Sequence, residues 1–297
     1  MAASNTFPDP GASPIRLRAP CNAPGSAAPT LQSGTQSIRR IVEIVRMIAS
    51  YNAYGLRLVE IATHLRLARP TIHRLLKCMV SEGWLMHDPV LRRYFLGHEL
   101  FELGLTASLR FRFGEICQPS LRRIARKTGH VAFLTIRSGM DAISISRSQG
   151  PSFDISALQI GVHRPLGVGA GSLALLMLMP DDEIQRIVSS NARRLGNFSD
   201  MTTLRLLELV KLSQQRGYAM HDSHLIEGVS GVGVPVMDGA DMVLGAISIS
   251  SLQDSLSQPE LEQILEVLKK EAKTIHQLMK RSDSYDRVFI STTQPRA

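Results

Sequence analysis

Between Gln36 and Ser50, apolar side chains recur at Ile38, Ile41, Val42, Val45 and Ile48, with Arg39, Arg40, Glu43 and Arg46 between them. Spacings of three and four predict an amphipathic helix. A shorter helix follows the turn at Tyr54-Gly55, where LRLVEIATHL turns Leu58, Ile61, Ala62 and Leu65 inward, and it breaks at Leu67-Ala68. The next helix opens on Pro70, which is tolerated at the first helical position because that amide has no partner inside the helix. Its apolar face is Ile72, Leu75, Leu76 and Met79. Then SEGWLMHDPVLRRYFLG reads as two short strands, Trp84-Leu85-Met86 and Arg93 to Leu96, around a turn at Asp88-Pro89. The pattern is helix, turn, helix and a hairpin wing.

Further along, LGHELFELGLTASLRFRF places Leu96, Leu100, Leu103 and Leu105 at helical intervals, which suits a connector between domains and a core helix of a second domain equally well. From Phe113 strands and helices mix. LRRIARKTGH is a helix ending near Gly129, VAFLTIRSG and MDAISISRSQ are strands around Ser138-Gly139, and SALQIG is a third strand. HRPLGVGAGSLALLMLMPDDEIQRIV passes through a glycine-rich loop into an apolar helix; GVSGVGVPVMD and VLGAISISS form a hairpin around Gly239-Ala240-Asp241; LSQPELEQILEVLKKEAKTIHQLMKR closes the domain as a long helix. Antiparallel strands with helices packed on them predict an α+β fold. No internal repeat is evident.

At 297 residues and 44% hydrophobic, the chain is long enough for two domains and has no apolar run of membrane-spanning length. Residues 1–34, rich in Pro, Gly, Ser and Ala, are expected to be a disordered, mildly basic arm, and residues 283–297 a flexible tail. The N-terminus lacks the apolar stretch of a signal peptide. Cys21, Cys78 and Cys117 are odd in number and far apart, which suits a reducing cytoplasm. A formal charge of +8 favours a polyanionic partner but equally suits an anionic membrane surface or plain solubility.

The charge gains meaning from its placement. A helix that enters the DNA major groove buries one face on its own domain while its N-terminal residues meet base edges and phosphates. Arg69, Thr71, His73 and Arg74 crowd the start of the third helix and Lys77 follows one turn on. Arginine can donate two parallel bonds to guanine, and threonine or histidine one. Arg92 and Arg93 sit at the return of the wing, within reach of backbone phosphates. A merely solvated cationic face would not call for this order of helix, turn, helix and hairpin. Double-stranded DNA is the expected partner.

These residues resemble the IclR family of bacterial transcriptional regulators. VEIATHLRLARPTIHRLLKCMVSEGWLMHD followed by RRYFLG matches the family pattern through helix-turn-helix and wing, and the similarity runs from Gln36 to about Ile275. Pro70 departs from it, standing where the family often has serine. The resemblance implies a winged helix-turn-helix domain over 35–97, a linker helix over 98–112 that also helps subunits pair as a homodimer or tetramer, and a GAF-like effector-binding domain over 113–282. It further implies a pocket around the loop before the helix that starts at Ala170. By residue-for-residue match, Gly169 and Ala170 offer backbone to the effector, Asp222 is a polar pocket position, and Ser248 and Ser250 stand beside the pocket. Gly231 replaces a cysteine found in many members, leaving space for a different or bulkier ligand.

GVGAGS lacks the Lys-Ser/Thr ending of a phosphate-binding loop, and Ser172 is not in a GxSxG elbow, so neither a nucleotide cofactor nor catalysis is expected. His221 and His224 flank Asp222, but no third ligand is in view; metal binding there stays open. The expected function is a cytoplasmic DNA-binding regulator answering to a small organic acid, aromatic or short-chain, held by amides at a helix N-terminus. Its rivals are a DNA-binding protein whose second domain only oligomerises, and an enzyme using the glycine-rich cleft.

Overall fold

The computed structural model describes residues 35–52, 54–108, 112–150, 159–198, 201–222, 228–238, 242–252 and 257–281. The N-terminal region holds α1 (Gln36–Ser50), α2 (Leu58–Leu65) and α3 (Arg69–Ser81), then a hairpin of β1 (Leu85–Asp88) and β2 (Arg93–Leu96). Ile44, Ile48, Leu56, Ile61, Ile72, Leu76 and Leu85 form its core. Of the predicted inward line of α1, Ile41, Val45 and Ile48 pack on this core, but Ile38 is 63% exposed and Val42 also faces out, and Ile44 is buried in their place. Apolar residues flank both sides of this helix, so periodicity alone left its orientation open by one residue, and packing on the hairpin decided it.

Arg66 takes the left-handed conformation at φ 53°, and the Leu67 amide donates to the Ala62 carbonyl at 3.1 Å, closing α2. Ala68 caps α3, so Pro70 is its second residue, still in the turn whose amides lack helical partners. The wing is tied to the segment before α2 where Leu56 and Tyr94 exchange backbone bonds of 3.0 and 2.8 Å and where Asn52 Oδ1 accepts from the Leu96 amide at 2.8 Å; within the wing the His87 and Tyr94 rings lie 4.6 Å apart.

Next comes α4 (His98–Ser108), none of whose side chains joins a described core; Phe101, Leu103 and Leu105 are all about half exposed or more. That removes the alternative of a core helix of the second domain.

After α5 (Phe113–Thr128), β3 (Val131–Ser138) and β4 (Asp141–Ser148) form a hairpin. Of the third strand expected at SALQIG, residues 156–158 lie outside the described residues, and β5 (His163–Pro165) is the strand that follows β4. Residues 151–158 lie outside the described set, and Gly161, at φ 84°, makes a turn whose amide donates to Ser144. The apolar helix expected after the glycine loop is two, α6 (Ala170–Leu176) and α7 (Asp181–Leu195), separated at Pro180, and an unpredicted α8 (Thr203–Arg216) follows. Then come β6 (Ala219–Asp222), β7 (Val229–Met237), β8 (Val243–Leu252) and α9 (Gln258–Arg281). The turn expected at Gly239-Ala240-Asp241 lies outside the described residues.

These strands make one antiparallel sheet in the order β5-β4-β3-β8-β7-β6. Strand alternation sends Leu134, Val232, Val234, Ile247 and Ile249 toward α5 and α9, while Ala142 and Ala246 face the layer of α6, α7 and α8. The fold is thus α+β, as expected, with helices on both faces of the sheet. Among the described residues no helix is long and apolar enough to cross a membrane.

One polar contact ties α5 to α9. Arg123 donates to both carboxylate oxygens of Glu271, the shortest bond being 2.7 Å, and to Ser120 Oγ at 2.8 Å. Burial pushes the Glu271 pKa up, but hydrogen bonds from Arg123 and Ser120 and the charges of Arg123 and Lys127 outweigh it, so the net shift is downward. Arg123→Ala is expected to cost about 3 kcal/mol at neutral pH, since it strands a buried carboxylate. With the folded-state pKa depressed, the stabilisation is complete above the ordinary value of 4.5 and is lost as pH falls through the lowered one. Urea denaturation of wild type and variant at neutral and acid pH should therefore show a gap that narrows on acidification.

Candidate functional site

Two regions carry exposed chemistry. On α3, the apolar residues Ile72, Leu76 and Met79 are buried, which turns Arg69, His73, Arg74 and Lys77 to solvent along one arc. Thr71 is half-buried at the edge of that arc. Among the described residues none of these cations is held in an ion pair. The arc is therefore open to an anionic partner along its N-terminal half.

Arg92 and Arg93 have different fates. Arg92 stands exposed at the hairpin return with φ 52°. Arg93 turns inward, donating to the Gly55 carbonyl at 2.8 Å and lying 3.8 Å from Glu60 Oε2. Arg92 lies in the left-handed turn before β2 and Arg93 is the first residue of the strand, so the backbone sends the two side chains different ways. Arg93 braces the wing against the first turn of α2, a role the charge pattern did not reveal.

The second region is an open cleft of about 50 Å³ between the sheet and α6, with Gly169, Ala170, Ser248 and Ser250 on its walls. Ser248 and Ser250 line it together, as residues two apart on a strand must when no bulge intervenes. Gly167 at φ 101° and Gly169 at φ 91° shape the loop, and Ser172 Oγ closes it by accepting from the Gly167 amide at 2.7 Å. The following helix has only seven residues, so the dipole invoked for its N-terminus is that of a two-turn helix.

Gly231 does not leave space. A Cβ there would lie 3.1 Å from Ala170 Cβ and 3.0 Å from the Ile249 carbonyl, so the glycine is occupied by the approach of α6. A bulky residue at Ala170 would likewise lever α6 off the sheet. Asp222 ends β6 opposite Ser230 in the backbone register; its side chain and His224 lie outside the described residues. His221 is buried, and no group of three metal-ligating side chains occurs among the described residues.

The cleft also gathers residues that the sequence reading missed. Thr135 and Ser144 face each other across the β3–β4 hairpin with hydroxyl oxygens 3.4 Å apart, and Arg164 enters from β5. Burial lowers the Arg164 pKa, and no carboxylate among the described residues offsets it. Among the described residues this half-buried guanidinium meets no carboxylate, and an unpaired charge is costlier the less it is solvated. The alternation of DAISIS and the lone arginine in HRP were the available signals, but neither says which face meets the glycine loop.

Comparisons with known proteins cover both domains. The IclR helix-turn-helix domain matches residues 37–89, and the C-terminal domain of bacterial transcriptional regulator IclR matches residues 110–277. The HTH-type transcriptional regulator XynR of Escherichia coli is 25% identical over 238 residues, covering 78% of this chain and 92% of that protein. The HTH-type transcriptional repressor AllR of Salmonella typhimurium is 24% identical over 253 residues, covering 85% and 93%. An IclR transcriptional regulator from Alicyclobacillus acidocaldarius superposes with a TM-score of 0.67 at 23% identity, over 81% of this chain and 97% of that one. An IclR homologue from Microbacterium hydrocarbonoxydans, complexed with 4-hydroxybenzoate, gives 0.64 at 19% identity, over 83% and 100%. With a winged helix bearing an open cationic arc and a C-terminal sheet domain, each matched by a model of the family, this chain belongs to the IclR family of DNA-binding bacterial transcriptional regulators.

Proposed function

We propose that the protein is a cytoplasmic, homo-oligomeric regulator whose hold on a double-stranded DNA operator is set by a small organic acid bound in the C-terminal cleft. The observation that carries the ligand class is Arg164, a half-buried guanidinium with no carboxylate partner among the described residues, surrounded by Thr135, Ser144, Ser248 and Ser250. Hydroxyls on several sides and one cation suit a carboxylate with a neighbouring oxygen. Asp222 keeps its place in the proposed site as a second polar position at the end of β6.

A cleft of about 50 Å³ that opens to solvent suits the carboxylate end of a small acid, and 4-hydroxybenzoate, bound by the Microbacterium homologue, is one acid to test beside short-chain ones. Effector binding would favour one arrangement of the oligomer over another and so alter the spacing of two recognition helices. The apolar face of α4 supports pairing of the subunits, either as a dimer or as a tetramer. Protection of the DNA upstream of the chain's own gene, measured with and without a panel of short carboxylic acids, tests the whole reading.

On the DNA side, Arg69, Thr71, His73, Arg74 and Lys77 form the base- and phosphate-reading set, with Arg92 at the wing. Arg74→Ala should lose about 1–3 kcal/mol of specific binding with an unchanged melting temperature. Arg93→Ala should instead lower the melting temperature, because it frees the wing from Gly55 and Glu60. Electrophoretic shift and thermal melting on the two variants separate reader from brace, and the reverse assignment would follow from the reverse result.

For the cleft, Arg164→Met removes a charge that burial disfavours and keeps the apolar stem. The variant should melt at the wild-type temperature or above, bind operator normally, and give no heat with short carboxylic acids in calorimetry. A lowered melting temperature with ligand binding retained would make Arg164 a structural residue and move the anion site elsewhere.

A further inference from the structure

The hairpin tip carries an anomaly for a DNA-binding wing. Val90 is 87% exposed and Leu91 53% exposed, side by side, next to exposed Arg92. The tip is not a loose loop in which such residues could fold back. Asp88 Oδ1 accepts from the amides of Val90 and Leu91 at 2.8 and 2.9 Å, Asp88 pairs with Arg93, and Arg93 is anchored on Gly55 beside the first turn of α2. Two apolar side chains are thus held in water at the end of a braced lever. The brace also points to where the lever reaches. In a helix-turn-helix the first of the two helices crosses the DNA backbone, so a tip tied to the start of α2 stands beside the duplex when α3 enters the major groove.

We propose that Val90 and Leu91 form a wedge that enters the minor groove flanking each half-site, opens a base step and bends the operator. Apolar side chains inserted between base steps unstack them and kink the duplex toward the major groove, and a neighbouring arginine favours the negative potential of a narrow minor groove. Arg92 supplies that cation from the adjacent residue. The tip thereby adds a preference for deformable flanking steps, such as TA or CA, at positions that no side chain reads by hydrogen bonding. This is a separate contribution from the phosphate contacts of the wing, since serine at both positions would keep every hydrogen bond of the turn.

The test uses the full-length protein and a duplex that it selects from random sequence. The duplex is labelled at its ends for energy transfer and carries 2-aminopurine at the flanking steps. Wild type is expected to shorten the end-to-end distance and raise the 2-aminopurine fluorescence. V90S/L91S is expected to protect the same half-sites from cleavage and melt at the same temperature, but to lose both the shortening and the fluorescence rise. Val90→Ser alone should lose part of each. A straight duplex with wild type, or an unchanged bend with the double variant, overturns the wedge. So does a fall in the oligomeric mass of DNA-free V90S/L91S, which would make the tip a protein contact. Failure of wild type to select any sequence would instead defeat the DNA-binding reading itself, and is distinguishable from all of these.

Discussion

The C-terminal site depends on how closely α6 lies on β7. A Cβ at Gly233 would stand 2.8 Å from the Ala170 carbonyl oxygen, and one at Gly231 would meet Ala170 Cβ at 3.1 Å. Only glycine on that face lets the short helix reach the sheet. The approach brings the Gly169–Ser172 loop against β8 and β3, so that a Cβ on Gly171 would press on Thr135 Oγ1 and Ser248 Oγ. The cleft is the space that remains. Its walls are hydroxyl-rich because alternation points Ser248 and Ser250 of β8 to this side while Ile247 and Ile249 fill the core behind.

Electrostatics then divides the molecule by what each arginine has been given. Arg123 and Arg137 have carboxylates, in Glu271 and Glu183, and hold helices to the sheet domain. Arg93 has a carbonyl and a nearby glutamate and holds the wing. Arg69, Arg74 and Arg92 are left to water, and Arg164 is left half-buried in the cleft. An unpaired charge costs most where it is least solvated, so of these Arg164 gains most from an anion.

The winged helix was largely readable in the chain, since its chemistry is local. An eight-residue helix, a three-residue break and a proline-opened helix follow one another within some two dozen positions, and the side of α3 that faces outward follows from Ile72, Leu76 and Met79 alone. The cleft was half readable. Gly169, Ala170, Ser248 and Ser250 were reached through resemblance, whereas Arg164, Thr135 and Ser144 come from strands whose neighbours are set by sheet order. Periodicity cannot tell which of two faces of a strand will meet the glycine loop.

The sequence by itself determined the α+β class, the helix-turn-helix with its wing, the cationic arc on α3 and the glycine loop, because each is written in spacings of two to four residues that local sterics enforce. Tertiary structure decided the rest: that α1 buries Ile44 in place of Val42, that Arg93 turns inward while Arg92 does not, that Gly231 is filled by Ala170, and that Arg164 completes the cleft. Those outcomes depend on which surfaces meet across long separations in the chain. A side chain's partners there are chosen by packing and by the desolvation of charge, which no local pattern records.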